Sequence, residues 1–109
     1  MARREPGPEE VLMGQVVQLA EILGWSWVHF RPAQTARGWR TPVSGTLGKG
    51  WPDLVLAKRG RVVFAELKSD AGRLDDAQTA VLDTLREAGA EVFVWRPRDW
   101  DGIVEALNG

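Results

Sequence analysis

Apolar residues recur along this chain at two periods, and each change of period marks a new element. Leu12, Val16, Leu19, Ala20 and Leu23 fall at helical spacing. They predict a first helix over residues 9–23, stopped by Gly24. Residues 25–31 then alternate, with Trp25, Trp27, His29 and Arg31 on one face of a strand and Ser26, Val28 and Phe30 on the other. Periodicity is lost over residues 32–50, where two prolines and four glycines (Gly38, Gly45, Gly48, Gly50) predict a long structureless loop. Loops of that length inside a small domain are usually functional or mobile. Two runs rich in Val, Leu and Phe follow, residues 53–58 and 61–68, separated by Arg59 and Gly60. Helical spacing returns at Gln78, Val81, Leu82 and Leu85. Asp75 stands as N-cap with Gln78 three positions on, a capping-box pattern, and Gly89 ends the helix. Residues 91–95 make a fourth strand. A last helix from Arg98 or Asp99 turns Trp100, Ile103, Val104 and Leu107 inward. The order is αβββαβα, an α/β chain. Strands two and three form a hairpin, and the second helix crosses over to return strand four parallel to strand three. The expected architecture is a mixed β-sheet flanked by helices.

The hairpin carries the chemistry. Gly60 supplies the positive φ of a two-residue turn. Lys58 then faces Arg61, and the same register sets Asp53 opposite Glu66. Side chains alternate, so Asp53, Val55 and Ala57 share a face with Val62, Phe64, Glu66 and Lys68. Two carboxylates and an ammonium therefore meet at one end of the hairpin. Opposed carboxylates with Cβ atoms about 5 Å apart repel each other. A divalent cation removes the repulsion, and oxygen ligands select a hard one, Mg²⁺ or Mn²⁺. The ordinary alternative is a solvated Glu66–Lys68 ion pair, with Asp53 merely following Pro52 in a turn. The face also carries Val55, Val62 and Phe64, so it should be covered, and a carboxylate at the edge of a covered face needs a partner. That favours the metal site.

Composition sets the bounds. The chain has 109 residues, 44% hydrophobic and 27% charged, which suits a single domain over residues 8–109 behind a short flexible tail, residues 1–7. No run approaches the roughly 20 apolar residues of a membrane span. The first ten residues lack the apolar segment of a secretory signal. Without cysteine there is neither a disulfide framework nor a thiolate metal site, and the cytoplasm of a bacterial or phage-infected cell is the expected location. One histidine excludes a multi-histidine zinc centre. A net charge of −1 argues mildly against a nucleic-acid binder. Its distribution softens this, because residues 31–51 hold Arg31, Arg37, Arg40 and Lys49 and no acid. Lys58, Arg59 and Arg61 extend the basic bias. A local basic arm gives weak, salt-sensitive phosphate contact, which suits an enzyme that must turn over.

Asp53, Glu66 and Lys68, spaced as PD-x12-E-x-K, resemble the signature of the PD-(D/E)XK nuclease superfamily. The wider text resembles its VRR-NUC group: residues 50–53 as the G-x-P-D start, 63–68 (VFAELK) as the acid-bearing strand, Gln78 on the next helix, and 89–94 (GAEVFV) as the strand after it. The resemblance covers about residues 9–107 and implies a restriction-endonuclease-like core. It further implies Mg²⁺-dependent hydrolysis of DNA phosphodiester bonds, with Asp53, Glu66 and the Leu67 carbonyl holding the metal and Lys68 acting on the attacking water or the phosphate. Gln78 either only caps its helix or also leans toward Lys68 and that water, and the resemblance favours the second. Glu9 lies on the edge of the first helix's apolar stripe, with Glu10 and Glu21 opposite. Its acid either complements the helix dipole or, as the resemblance implies, aims at the metal.

For substrate, stand-alone members of the group imply a structure-specific endonuclease, a Holliday-junction resolvase or a flap- or nick-type repair nuclease, acting on branched DNA as a homodimer. Arg31, Arg37, Trp39, Arg40, Lys49 and Trp51 are the candidate DNA contacts, gripping phosphates or stacking on unpaired bases. Trp39 and Trp51 are alternatively core anchors, the two readings standing equal for Trp51, while DNA contact is favoured for Arg37 and Arg40. His29 fits a structural role or a phosphate contact better than a catalytic base. The long glycine-rich loop departs from shorter family versions. Two other classes compete: a non-catalytic nucleic-acid-binding module that kept the fold, and a site-specific restriction enzyme, which would normally need a longer chain.

Overall fold

A computed structural model of the chain describes residues 5–30, 33–36, 38–40 and 43–109. Helix α1 (Pro8–Ile22) begins on a proline, whose missing N–H costs nothing in a first helical turn, and buries Leu12, Val16 and Ala20. Strand β1 (Ser26–His29) follows. It is shorter than the alternation over residues 25–31 predicts. Trp25 is spent on leaving the helix, its N–H donating to the Ala20 carbonyl and its ring buried in the core. Within the stretch expected to be structureless, β2 (Ala33–Thr35) and β3 (Gly38–Arg40) pair antiparallel as a separate hairpin. Strands of three residues are too short to display a period of two.

Strands β4 (Leu54–Lys58) and β5 (Arg61–Leu67) form the predicted antiparallel hairpin, with Lys58 opposite Arg61 and Leu54 opposite Ala65. Gly60 sits at φ 77° in its turn. Helix α2 (Asp76–Glu87) returns the chain to β6 (Glu91–Trp95), which lies parallel to β5. A turn of 3₁₀ helix (Pro97–Asp99) leads into α3 (Trp100–Asn108). The main sheet runs β1-β4-β5-β6, a mixed sheet flanked by helices with the restriction-endonuclease-like order of elements.

The two faces of this sheet are covered differently. Leu54, Leu56, Val63, Ala65, Leu67 and Trp95 pack with Leu12, Val16 and Ala20 of α1 and Ile103 and Leu107 of α3 into one buried cluster. Each such aliphatic side chain contributes roughly 1.5–3 kcal/mol by leaving water. The Trp25 indole N–H donates to the Leu107 carbonyl at 2.8 Å, fastening the end of α3 to the start of β1. On the other face α2 buries Val81 and Leu82, and it covers the acid end of the hairpin.

Candidate active site

Strand alternation puts Glu66 on the α2 face while its neighbours Ala65 and Leu67 face the core. Glu66 is 2% exposed, the one buried charged side chain among the described residues. Asp53 directly precedes β4, where the hairpin register continued by one step meets Glu66. Two hydrogen bonds and a buried neighbour fix it. Its carbonyl accepts from the Phe30 N–H at 2.8 Å, its Oδ2 accepts from the Leu67 N–H at 2.9 Å, and Pro52 before it is fully buried. The Asp53 charge raises Glu66, as expected of carboxyls that meet at one end of the hairpin.

Lys68 follows β5, its N–H extending the ladder to the Trp95 carbonyl at 3.0 Å. Its Nζ stands 3.8 Å from Glu66 Oε2, an ion pair too long to be a hydrogen bond. Gln78 approaches Glu66 from α2. Its backbone N–H donates to Asp75 Oδ1 and its Oε1 accepts from the Asp75 N–H, closing the predicted capping box. Its Nε2 meanwhile donates to Glu66 Oε2 at 3.0 Å. The capping role weighed from the sequence is thus filled while the same amide also reaches into the site, since it accepts at one end and donates at the other. Its site partner is Glu66 rather than Lys68.

Gly50 makes this assembly possible. At φ 95° it packs against the first turn of α2, where an added Cβ would stand 2.5 Å from the Ala77 carbonyl carbon and oxygen. The loop leading into Asp53 is thereby pressed onto the helix that carries Gln78.

Electrostatics leave the site unbalanced. Burial pushes Glu66 up to about 8, the Asp53 charge adds to the rise, and the Lys68 ammonium only partly opposes it. Burial likewise raises Asp53, against the pull of the Leu67 N–H. Glu66 Oε1 is buried with no hydrogen-bond partner. A hard cation suits these donors, because it would satisfy the orphaned oxygen and offset two adjacent carboxylates. Among the described residues no three acidic or histidine side chains converge as a ready cage. Any such ion would therefore complete its shell with backbone oxygen, water or substrate.

A cleft of about 300 Å³ opens beside Asp53, lined by Glu9, Glu10, Met13, His29, Phe30 and Leu67. Glu9 is close enough for its charge to raise Asp53. Glu10, placed on the far face by the helical wheel, lines the same cleft. Side chains in a first helical turn lean toward the N-terminus and splay past its end. The His29 ring meets Trp27 edge-on at 5.3 Å.

Of the candidate DNA contacts, Arg31 and Arg37 lie outside the described residues, as do the side chains of Trp39 and Arg40. Lys49 is exposed. Trp51 is wedged edge-on between Phe64 at 5.6 Å and Phe30 at 6.1 Å, the packing expected of an anchor. Arg61 is committed inside the fold. It grips both Glu91 oxygens at 2.7 and 2.9 Å, donates to the Ala106 carbonyl and lies over Trp25 at 5.0 Å. It therefore does not extend the basic arm, and no sequence period separates such an arginine from a free one.

A family model for the VRR-NUC domain matches residues 14–99. The match holds Asp53, Glu66, Lys68 and Gln78 but stops short of Glu9 and of α3, a narrower span than the resemblance over residues 9–107. A comparison with curated proteins found no match. No described helix is long and apolar enough to cross a membrane.

Proposed function

Since this chain belongs to the VRR-NUC family of nuclease-type domains, we propose that it is a Mg²⁺- or Mn²⁺-dependent endodeoxyribonuclease. The observation that carries this reading is the buried, unpartnered Oε1 of Glu66 beside the Asp53 carboxyl. Asp53 and Glu66, with the Leu67 carbonyl, would hold the cation. When bound, it supplies Lewis acidity, polarising a phosphoryl oxygen and lowering the pKa of a water.

The chain's own groups do the rest. Gln78 Nε2 holds Glu66 Oε2 and so fixes the plane of that carboxylate, leaving Oε1 for the ion. The Leu67 N–H orients Asp53 through Oδ2. The Lys68 ammonium positions the nucleophilic water or offsets charge accumulating on the scissile phosphate. Glu9 adds negative charge at the mouth of the cleft. Lys49 and the arginines of the preceding arm grip the flanking phosphates. The substrate we propose is branched DNA cut by a homodimer, leaving 5′-phosphate and 3′-hydroxyl ends.

Labelled duplex, flap, splayed-arm and four-way DNA, each with Mg²⁺, Mn²⁺ or EDTA, test the proposal. Metal-dependent cleavage that disappears in folded Asp53→Ala and Lys68→Ala proteins is expected. Cleavage surviving Lys68→Ala refutes the mechanism. Metal-independent binding without nicking makes the domain a non-catalytic module instead.

A further inference from the structure

Lys68 is poorly held by its nearest charge, since 3.8 Å to Glu66 leaves the ammonium without a short bond to that oxygen. What surrounds its stem decides where it sits. Directly after Lys68 the chain makes a tight turn, the Gly72 N–H donating to the Ser69 carbonyl at 3.1 Å. Gly72 lies against the lysine stem, and an added Cβ there would stand 3.6 Å from Lys68 Cδ. The turn thus walls one side of the lysine stem.

Two arginines from the segment after β6 hold that wall. Arg96 Nη1 donates to the Ser69 carbonyl at 2.7 Å and to the Gly72 carbonyl at 2.6 Å, bridging both ends of the turn. Arg98 donates through Nη1 to the Asp70 carbonyl at 3.0 Å and through its backbone N–H to Asp70 Oδ1 at 3.0 Å. Arg96 is itself fixed, its N–H donating to Asp99 Oδ2 at 2.9 Å. Guanidinium bonds of this length are charge-assisted, and both leave the single Nη1, so a lysine in place of Arg96 would reproduce them only in part.

We propose that Arg96 is a positioning residue for Lys68, acting through the turn 69–72 rather than on the substrate. The inference rests on the nuclease reading for its kinetic consequence but not for its structural one. Arg98 supports the same turn from its outer side.

Only three lysines are present, Lys49, Lys58 and Lys68. Reductive ¹³C-methylation therefore gives three lysine signals, and Lys68→Arg assigns the one of interest. In Arg96→Gln the Lys68 signal is expected to shift and sharpen toward that of a free lysine, with Lys49 and Lys58 unmoved. On unmethylated protein kcat should fall 10- to 100-fold at unchanged KM, with Arg96→Lys intermediate. A Lys68 signal identical to wild type in both folded variants overturns the proposal, whatever happens to cleavage. Should Arg96→Gln not fold, Arg96→Lys carries the same comparison alone, its added fourth lysine signal being told apart from that of Lys68 by the Lys68→Arg/Arg96→Lys double variant. If wild type does not cleave, the nuclease reading fails while the NMR arm still decides the placement of Lys68.

Discussion

Replacing Glu66 with Gln keeps the shape of the side chain and an oxygen for Gln78 Nε2, while deleting the buried charge. In the metal-free protein Glu66 holds its proton up to about 8, against an ordinary value of 4.5. The folded state thus binds more protons than the unfolded state across that window, and stability must fall as pH rises through it. The slope is at most about 1.4 kcal/mol per pH unit, which gives a ceiling of about 5 kcal/mol between the two values. Asp53, also raised by burial, contributes with the same sign. Even about 2 kcal/mol would move the Tm of a 109-residue domain by roughly 10 °C. Urea denaturation at half-unit steps from pH 5 to 8 in EDTA should show the parent losing stability steadily while Glu66→Gln, left with the Asp53 contribution alone, falls less steeply and is the more stable at pH 8. Saturating Mg²⁺, at about 100 times its Kd, should return about 2.7 kcal/mol to the parent and far less to the variant. Parallel pH curves for the two proteins, or equal gains with Mg²⁺, would refute the reasoning.

Three further outcomes are expected. Gly50→Ala meets both the Ala77 backbone and a positive φ, so it should cost about 1–3 kcal/mol and depress cleavage out of proportion to the unfolded fraction; unaltered stability and activity would exclude the tight approach. Gln78→Leu removes half of the capping box and the donor to Glu66. It should cost about 1 kcal/mol and slow cleavage at least tenfold, measured by single-turnover kinetics alongside calorimetry. Glu91→Ala breaks a partly exposed ion pair far along β5 from the carboxylates, so stability should drop by about 1 kcal/mol or less with cleavage of the folded fraction unchanged.

The residues that could be placed from sequence were those fixed by local rules. A two-residue turn at Gly60 leaves one register for β4 and β5, so the meeting of positions 53 and 66 followed from counting. The Asp75–Gln78 box and the crossover to a parallel β6 were legible for the same reason, each depending on a few neighbouring residues. What escaped depends on contacts between distant segments. Gly50 against Ala77, Arg61 enclosed by Glu91, Ala106 and Trp25, and Arg96 bracing the turn after Lys68 all join residues without a shared period. The β2–β3 hairpin was missed because each of its strands spans a single alternation. Glu9 and Glu10 both line the cleft, and a helical wheel alone does not choose between them at a helix end.

Gln78 binds two fates together. The same amide closes the first turn of α2 and grips the buried carboxylate, so fraying of that turn releases Glu66 at once. Gentle heating should therefore silence the protein before the main sheet melts, with far-ultraviolet dichroism barely changed. Tightening that helix end by substitutions further along it would then raise the temperature at which function is lost without moving the global transition by a matching amount.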